Sequence, residues 1–228
     1  MKKCMEYLVQ LDMNNNREWF HAHKEEKQSA QLEFESVLWE LMTYIGAYDE
    51  RVLRYEPKEI MYRLARDMRF YRDRPPYTPS FRGHIGPAGR KCVPVGIYFG
   101  VMPQNRTEIS GGLFPSYDKQ ATELVRSAID VDGAEFERII STPPFSRCCS
   151  LMGEKLKKVP GNFDKDHPQG ELLKHKNWYT SVYLPDSVAL DRDELIKQTK
   201  RVMDAIRPFN EFLNEALKDY VYQPEERR

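Results

Sequence analysis

A pair of adjacent strand patterns limits the possible folds of this sequence more than any other feature. Alternate residues over Val93–Val101 are apolar, which is typical of a strand with one buried face. The turn-forming residues Pro103–Asn105 follow, and Thr107–Phe114 is predicted to be a second strand. Two strands joined by so short a turn must run antiparallel. The chain is therefore expected to contain an antiparallel sheet.

Helical patterns precede and follow these strands. From Asn16 to about Ala47 apolar residues recur at three- and four-residue spacing, which predicts an N-terminal helix ended at Gly46. Capping residues and prolines predict further helices: one from Pro115 to about Asp130 with Ser116 as the cap, one from Asp132 to Pro143, and a short one just after Pro168. A strand is predicted over Asn177–Pro185. Two more helices are predicted from Asp191 onward, with the division between them at Pro208. Hairpin-linked strands mixed with helices predict an α+β fold, in which an antiparallel sheet packs with N-terminal, middle and C-terminal helices. One domain spanning residues 1–228 is the economical arrangement.

Charge and hydropathy argue against several classes of protein. Lys plus Arg and Asp plus Glu both number 35, so no overall field would attract a nucleic acid. No apolar run approaches the roughly 20 residues that span a bilayer, and the first residues do not form a secretory signal. The four cysteines include no C-x-x-C pair, which indicates reduced thiols. We expect a cytoplasmic protein with no membrane association, no metal and no cofactor, and the balanced charge argues against a nucleic-acid partner.

The segment Ile60–Tyr77 carries arginines at 63, 66, 69, 72 and 74 among apolar and aromatic residues. Its period is ambiguous. A strand would place Arg66 on an apolar and aromatic face and Arg63 on the other face, whereas a helix would leave two aromatic residues outside its apolar stripe. Because the strand accommodates the aromatic residues better, we predict a strand over 59–71 and a long irregular loop over 72–92.

An arginine set among apolar residues requires a negative partner. Arg63, Arg66 and Arg69 are therefore predicted ligand-binding residues, because guanidinium groups bind phosphate, sulfate or carboxylate in bidentate geometry. Asp67 and Tyr77 are candidate proton-transfer groups, and Tyr77 is also a candidate ligand contact. The alternative is structural: the arginines would pair with neighbouring carboxylates such as Asp67 and would form no site.

Glycines mark further predicted ligand contacts. Tyr98 lies between Gly96 and Gly100 on the second face of its strand, which leaves an open floor that a ligand can approach. Gly111 and Gly112 lie between a strand and a helix N-terminus, a geometry that can bind an anion. Adjacent glycines are also typical of a bulge or of close backbone packing, so both interpretations stay open.

The chain also resembles a known family. The similarity is carried by Leu11–Lys24 (LDMNNNREWFHAHK), Arg66–Phe70 (RDMRF), Pro76–Tyr77, Gly111–Leu113, Arg126, Val159–Pro168 (VPGNFDKDHP), Leu172–Lys174 and Pro208–Asn214 (PFNEFLN). On these residues the sequence is similar to the uncharacterised bacterial and fungal family called domain of unknown function 2461. The resemblance spans nearly the whole chain and implies a cytoplasmic protein of one domain, with no established activity. After Phe70 the family tends toward Ser-Lys-Asp-Lys where this chain has Tyr71–Arg74, so the charge is kept while the shape differs.

Three functions fit these patterns. The leading hypothesis is binding of an anionic small molecule, a phosphate or carboxylate, at the arginine-rich strand, with attached catalysis as an option. The second is an interaction module for an acidic protein or RNA. The third is a structural protein whose arginines form internal ion pairs. The sequence assigns no reaction, ligand identity or oligomeric state.

Overall fold

The structure, a computed structural model, describes residues 1–69, 73–115 and 118–222, and the statements below concern these residues. Four strands form one antiparallel sheet in the order β1-β2-β3-β4: β1 Phe81–Ile85, β2 Ile97–Val101, β3 Thr107–Leu113 and β4 Trp178–Leu184. The helices within the described residues are α1 Lys2–Met13, α2 Arg17–Ala22, α3 Lys24–Gly46, α4 Pro57–Ile60, α5 Lys119–Ser141, α6 Pro143–Cys148, α7 Gly170–Leu173, α8 Asp186–Leu190 and α9 Arg192–Ala216, with a 3-10 helix over Glu50–Arg54. The predicted α+β fold is confirmed, with helices before, between and after the strands. None of the described helices combines the length and the apolar character needed to cross a bilayer.

The chain divides into two compact units. The first comprises Met1–Lys91, Gly96–Ser110 and Ser181–Asp204. The second comprises Cys92–Val95, Gly111–Thr180 and Ala205–Arg228. That residues 1–228 behave as one domain stays a prediction.

In the first unit, one face of β1 and β2 forms an apolar core with α3. Phe81 pairs with Val101 and Gly83 with Phe99 in antiparallel register. The ring of Phe34 from α3 stacks on Phe81 and Phe99 with centroids 5.8 and 5.7 Å away. Each fully buried aromatic side chain contributes roughly 1.5–3 kcal/mol to folding. Because side chains alternate along a strand, the opposite face of the same strands is left to polar residues.

The predicted hairpin is confirmed. β2 and β3 flank a turn in which Gln104 and Asn105 have φ values of 68° and 58°. The Asp186 carboxylate at the start of α8 accepts hydrogen bonds from the backbone N–H groups of both turn residues at 2.9 Å. The turn is therefore held by a side chain from a distant part of the sequence.

One predicted strand boundary was wrong, and one strand was missed. β2 begins at Ile97 rather than at Val93, because the backbone N–H and C=O of Val95 bind the Asn214 side chain and no strand. The predicted irregular loop over 72–92 contains β1. The proline and glycine content of that segment concealed a short strand.

The predicted N-terminal helix is divided into two. Asn16 caps α2, its Oδ1 accepting a hydrogen bond from the Trp19 N–H at 2.9 Å, as the capping preference of asparagine predicts. The backbone at His23 leaves helical geometry (φ −106°, ψ 43°) between α2 and α3. Gly46 is the last residue of α3, as predicted, and α1 is an additional helix.

The middle and C-terminal helices agree with the prediction in part. α5 is kinked at Asp132, where the backbone leaves helical geometry (φ −135°, ψ 40°), and this is the residue at which a second helix was predicted to begin. Asp118 caps this helix, and the predicted cap Ser116 lies outside the described residues. Pro143 begins α6, just after α5 ends at Ser141. α9 runs through Pro208, so the predicted division of the C-terminal region into two helices was wrong.

Other predicted elements are confirmed. Asp191 accepts hydrogen bonds from the backbone N–H groups of Asp193 and Glu194 at the start of α9. The strand predicted over 177–185 is β4, and the short helix expected after Pro168 is α7.

Candidate functional site

The arginine segment is not a strand within the described residues. Beyond α4 it makes two isolated bridges, at Met61 and Ala65, rather than a continuous ladder. A strand over 59–71 was therefore the wrong prediction as far as residue 69, and residues 70–72 lie outside the described part of the chain. Without a ladder, the arginines are not sorted onto the two faces of a sheet.

Two of the predicted arginines have internal partners. Arg66 is half-buried, and its Nη1 donates to the backbone carbonyls of Pro75 and Tyr77 at 2.6 Å each. The exposed Arg69 forms a bidentate ion pair with Asp67, with 2.9 Å between Nε and Oδ1. Hydrogen bonds from Arg69 lower the pKa of the Asp67 carboxyl to about 2, which makes that carboxylate a weak base near neutral pH. These contacts support the structural interpretation of Arg66 and Arg69.

Tyr77 joins the arginine segment to the N-terminal motif. Its ring stacks on Phe20, with centroids 3.9 Å apart. The Asn15 side chain brackets its backbone, accepting from the N–H and donating to the C=O at 3.0 Å each. The same carbonyl also accepts the hydrogen bond from Arg66. The backbone and ring of Tyr77 therefore serve as an anchor inside the first unit.

The other predicted residues have different surroundings. Arg63 is exposed. Gly111 and Gly112 lie on β3 within the second unit. A Cβ on Gly112, whose φ is +104°, would lie 2.4 Å from the carbonyl oxygen of Trp178, and one on Gly111 would lie 2.6 Å from Ile206 Cγ2. The two glycines permit close packing, which supports the packing interpretation over an anion loop.

Tyr98 belongs to a group of polar side chains on the sheet. On β1 and β2, Arg82 pairs with Gly100 and His84 with Tyr98, so these residues lie opposite the Phe34 side of the sheet. Glu108 and Ser110 on β3 and Ser181 on β4 extend the group. We call Arg82, Tyr98, Glu108, Ser110 and Ser181 the polar face; all five belong to the first unit.

The cation of the polar face is Arg82. Its guanidinium carbon lies 5.8 Å from the centroid of the Tyr62 ring. Within the described residues, no carboxylate lies within ion-pair distance of it. Burial raises the pKa of neighbouring Tyr98 to about 12, with the Arg82 charge acting to lower it and the Glu108 charge to raise it further. The Tyr98 hydroxyl therefore stays protonated at neutral pH and is a hydrogen-bond donor.

The anion of the polar face is Glu108, which binds two serine hydroxyls. Ser110 Oγ lies 2.6 Å and Ser181 Oγ 2.8 Å from the same carboxylate oxygen, and the two hydroxyls are 2.8 Å apart. Ser110 is fully buried, whereas Glu108 and Ser181 are half-buried, so these hydrogen bonds are partly shielded from water. The polar face thus combines an arginine without a carboxylate partner, a tyrosine hydroxyl and a carboxylate–serine network.

Of the polar face, sequence reasoning identified Tyr98 alone. Arg82 was missed because its strand was taken for a loop. Glu108 and Ser110 occupy alternate positions of the predicted second strand and carry a usable signal, since a buried Ile109 separates them. Ser181, 71 residues from Ser110, joins them only through the sheet order.

Comparison with known proteins places the chain in a family. None of the described residues forms a group of three or more His, Cys, Asp or Glu side chains able to hold a metal ion. No curated protein and no solved structure matches the chain. A family model described as "Conserved hypothetical protein (DUF2461)" matches residues 3–212. Because that match covers most of the sequence, the chain belongs to the family of domain of unknown function 2461.

Proposed function

We propose that this protein binds a small molecule with an anionic group on the polar face, and that Arg82 contacts the anion. The observation that carries this proposal is the half-buried residue Arg82, whose guanidinium no described carboxylate neutralises. Arg69, by contrast, is paired with Asp67. A partly buried arginine on a sheet surface is a favourable site for phosphate or carboxylate. The proposed anion site therefore lies on β1 and not, as the sequence predicted, in the arginine segment.

The neighbours of Arg82 narrow the class of ligand. The Tyr98 hydroxyl is a donor held beside the arginine, and Glu108 is an acceptor with two serine hydroxyls attached. A ligand that carries both an anionic group and hydroxyl groups would satisfy both ends of the face. A phosphorylated or carboxylated polyol has this chemistry.

Any proton transfer in this site is assigned to Glu108 rather than to Asp67. Glu108 already touches two hydroxyl groups, as a base acting on a hydroxyl must. The lowered pKa of Asp67 suits it less well to that role. We propose ligand binding as the function, in a cytoplasmic protein, and leave catalysis as an addition to it.

A thermal-shift screen tests the proposal. Phosphate, sulfate, simple carboxylates, sugar phosphates and sugar acids are added to the wild type, to Arg82→Gln and to Arg63→Gln. A ligand at about 100 times its Kd should raise the Tm of the wild type by roughly 5–10 °C. The same ligand should leave Arg82→Gln unshifted and should shift Arg63→Gln like the wild type.

The matched arginine variants separate the two locations. If Arg63→Gln alone loses the ligand-induced rise in Tm, the anion site lies in the arginine segment. An equal shift in all three proteins, or none with any anion, would contradict the proposal. Salt-sensitive binding of RNA without a response to small anions would favour the interaction-module alternative.

A further inference from the structure

A separate cavity lies among α1, α2 and α3 in the first unit, with a volume of about 270 Å³. Its walls include the aromatic rings of Tyr7 and Trp19, with His23 beside them, and its charged lining residues include Lys3, Glu6 and Glu26. This volume lies just below the roughly 300–1,000 Å³ typical of small-molecule sites. The cavity therefore suits a compact ligand.

The aromatic wall is held in a fixed arrangement. The rings of Tyr7 and Trp19 are 5.7 Å apart between centroids, tilted by 36°. The His23 ring stacks on Trp19 at 4.1 Å with an interplanar angle of 17°. His23 Nδ1 donates to the Trp19 carbonyl at 2.8 Å, which fixes the imidazole against the indole. Rigid indole and phenol rings are good surfaces for a flat apolar group or for a cation.

The charges around the cavity are not neutralised within it. Among the described residues Glu26 has no ion-pair partner, and Glu6 has only the exposed Lys2 at 3.9 Å. The carboxylates of Glu6 and Glu26 and the ammonium group of Lys3 line the cavity, so these three residues together carry a net negative charge. This sign is opposite to that of Arg82 on the polar face.

The electrostatics of Tyr7 connect it to one of the cavity carboxylates. Tyr7 is 4% exposed, and no described residue forms a hydrogen bond with its hydroxyl. Burial raises the pKa of Tyr7, and electrostatic interactions with Tyr77 and Glu26 act in the same direction. The negative charge of Glu26 therefore acts on the aromatic wall of the cavity.

We propose that this cavity binds a small organic cation with an aromatic or other flat apolar body. The apolar body would contact Trp19 and Tyr7, and the cationic group would lie near Glu26 and Glu6. Cations are attracted to the faces of tryptophan and tyrosine rings, and more strongly where water is excluded. This site is independent of the polar face and of the ligand proposed there.

Calorimetry with benzyltrimethylammonium tests the proposal, with benzyl alcohol as the neutral comparison and benzenesulfonate as the anionic one. The full-length protein should bind the cation with a Kd of about 1 mM or lower and should bind the other two at least tenfold more weakly. Ligand-observed NMR would detect the same order of affinities, cation above alcohol and sulfonate, if the Kd of the cation is about 1 mM.

Two glutamate variants locate the binding. Glu26→Gln removes a cavity carboxylate from an exposed position and should weaken cation binding about tenfold. Its neighbour Glu25 is exposed and does not line the cavity, so Glu25→Gln should bind like the wild type. Arg82→Gln should also bind the cation like the wild type, whatever the outcome of the anion screen.

Three results would overturn the cation site. They are equal binding of the cation, the alcohol and the sulfonate; equal weakening in Glu25→Gln and Glu26→Gln; and no detectable binding of benzyltrimethylammonium to the wild type. Circular dichroism of both variants confirms that they are folded, so a loss of binding in Glu26→Gln is a local effect.

Discussion

At the scale of single residues, Asn15 holds a backbone position 62 residues away. Its amide satisfies both the N–H and the C=O of Tyr77, whose ring is stacked on Phe20. The asparagines of this motif thus divide their roles, since Asn16 caps a helix while Asn15 binds a distant segment. A side chain that binds backbone groups outside any helix or strand contributes more to stability than its exposure suggests, because those backbone groups have no partner in regular secondary structure.

We expect Asn15→Ala to lower the free energy of unfolding by about 1–3 kcal/mol, because the Tyr77 N–H loses its partner and its C=O loses one of two. Urea denaturation measures the change. Asn14→Ala is the control, since the Asn14 side chain bonds only to the nearby Gln10 carbonyl on the surface. Equal effects of the two substitutions would show that Asn15 has no anchoring role.

His84 links stability to pH. The residue is 5% exposed, and its Nδ1 donates to the Gly89 carbonyl at 2.8 Å. Burial lowers its pKa below the ordinary value of 6.5 because the charged imidazolium is poorly solvated there. The unfolded chain therefore binds this proton more readily than the folded one. The stabilisation from neutral His84 is complete above pH 6.5 and is lost as the pH falls below it.

The variant His84→Asn keeps an amide N–H near the position of Nδ1 but cannot titrate. We expect the wild type to lose more unfolding free energy than this variant between pH 7.5 and pH 5.5. Denaturation at several pH values measures the difference. The variant His21→Asn, at an exposed position, should follow the wild type. Parallel curves for the wild type and His84→Asn would contradict the assignment.

At the scale of elements, the β2–β3 hairpin has a conformational cost in its turn. Gln104 has a φ of 68°, a left-handed value at which a Cβ is unfavourable. We expect Gln104→Gly to raise the unfolding free energy by about 0.5–1 kcal/mol, because the Asp186 carboxylate binds only the backbone at this position.

Gln104→Ala is the matched control for this prediction. Both substitutions remove the long contact of the Gln104 side chain with Asp12, but alanine keeps the Cβ. Glycine should therefore be more stable than alanine in parallel urea titrations. If the two variants are equally stable, the left-handed backbone is not the source of the cost.

Elements whose signal is local were predictable from the sequence. The hairpin follows from alternation on both sides of a turn, and the start of α9 from the capping carboxylate of Asp191. Even α1, which the prediction omitted, buries Cys4, Leu8 and Leu11 at helical spacing. The helical spacing of these apolar residues was therefore available in the sequence, but the prediction did not use it.

Elements that depend on distant partners were not predictable. The arginine segment has an alternating pattern, yet its backbone meets its partners at single bridges. Arg66 bonds to carbonyls that lie nine and eleven positions ahead, which no face assignment reveals. The polar face likewise combines residues of four strands, so its composition depends on sheet order rather than on any one motif.

At the scale of the whole molecule, the two compact units share continuous elements. β3 passes from the first unit to the second after Ser110, β4 passes from the second to the first after Thr180, and α9 passes from the first to the second after Asp204. The hydrogen bonds within a helix or a sheet form cooperatively. Unfolding one unit alone would therefore interrupt elements whose remaining residues belong to the other unit.

This continuity predicts that residues 1–228 unfold as a single domain. Amide hydrogen exchange in increasing urea should give the same opening free energy and the same urea dependence for the slowest amides of α3, in the first unit, and of α5, in the second. Terminal and loop amides serve as internal controls, because they exchange through local opening. If α5 opens with a smaller urea dependence and a lower free energy than α3, the second unit unfolds by itself. The chain would then comprise two domains, and both proposed ligand sites would belong to the first of them.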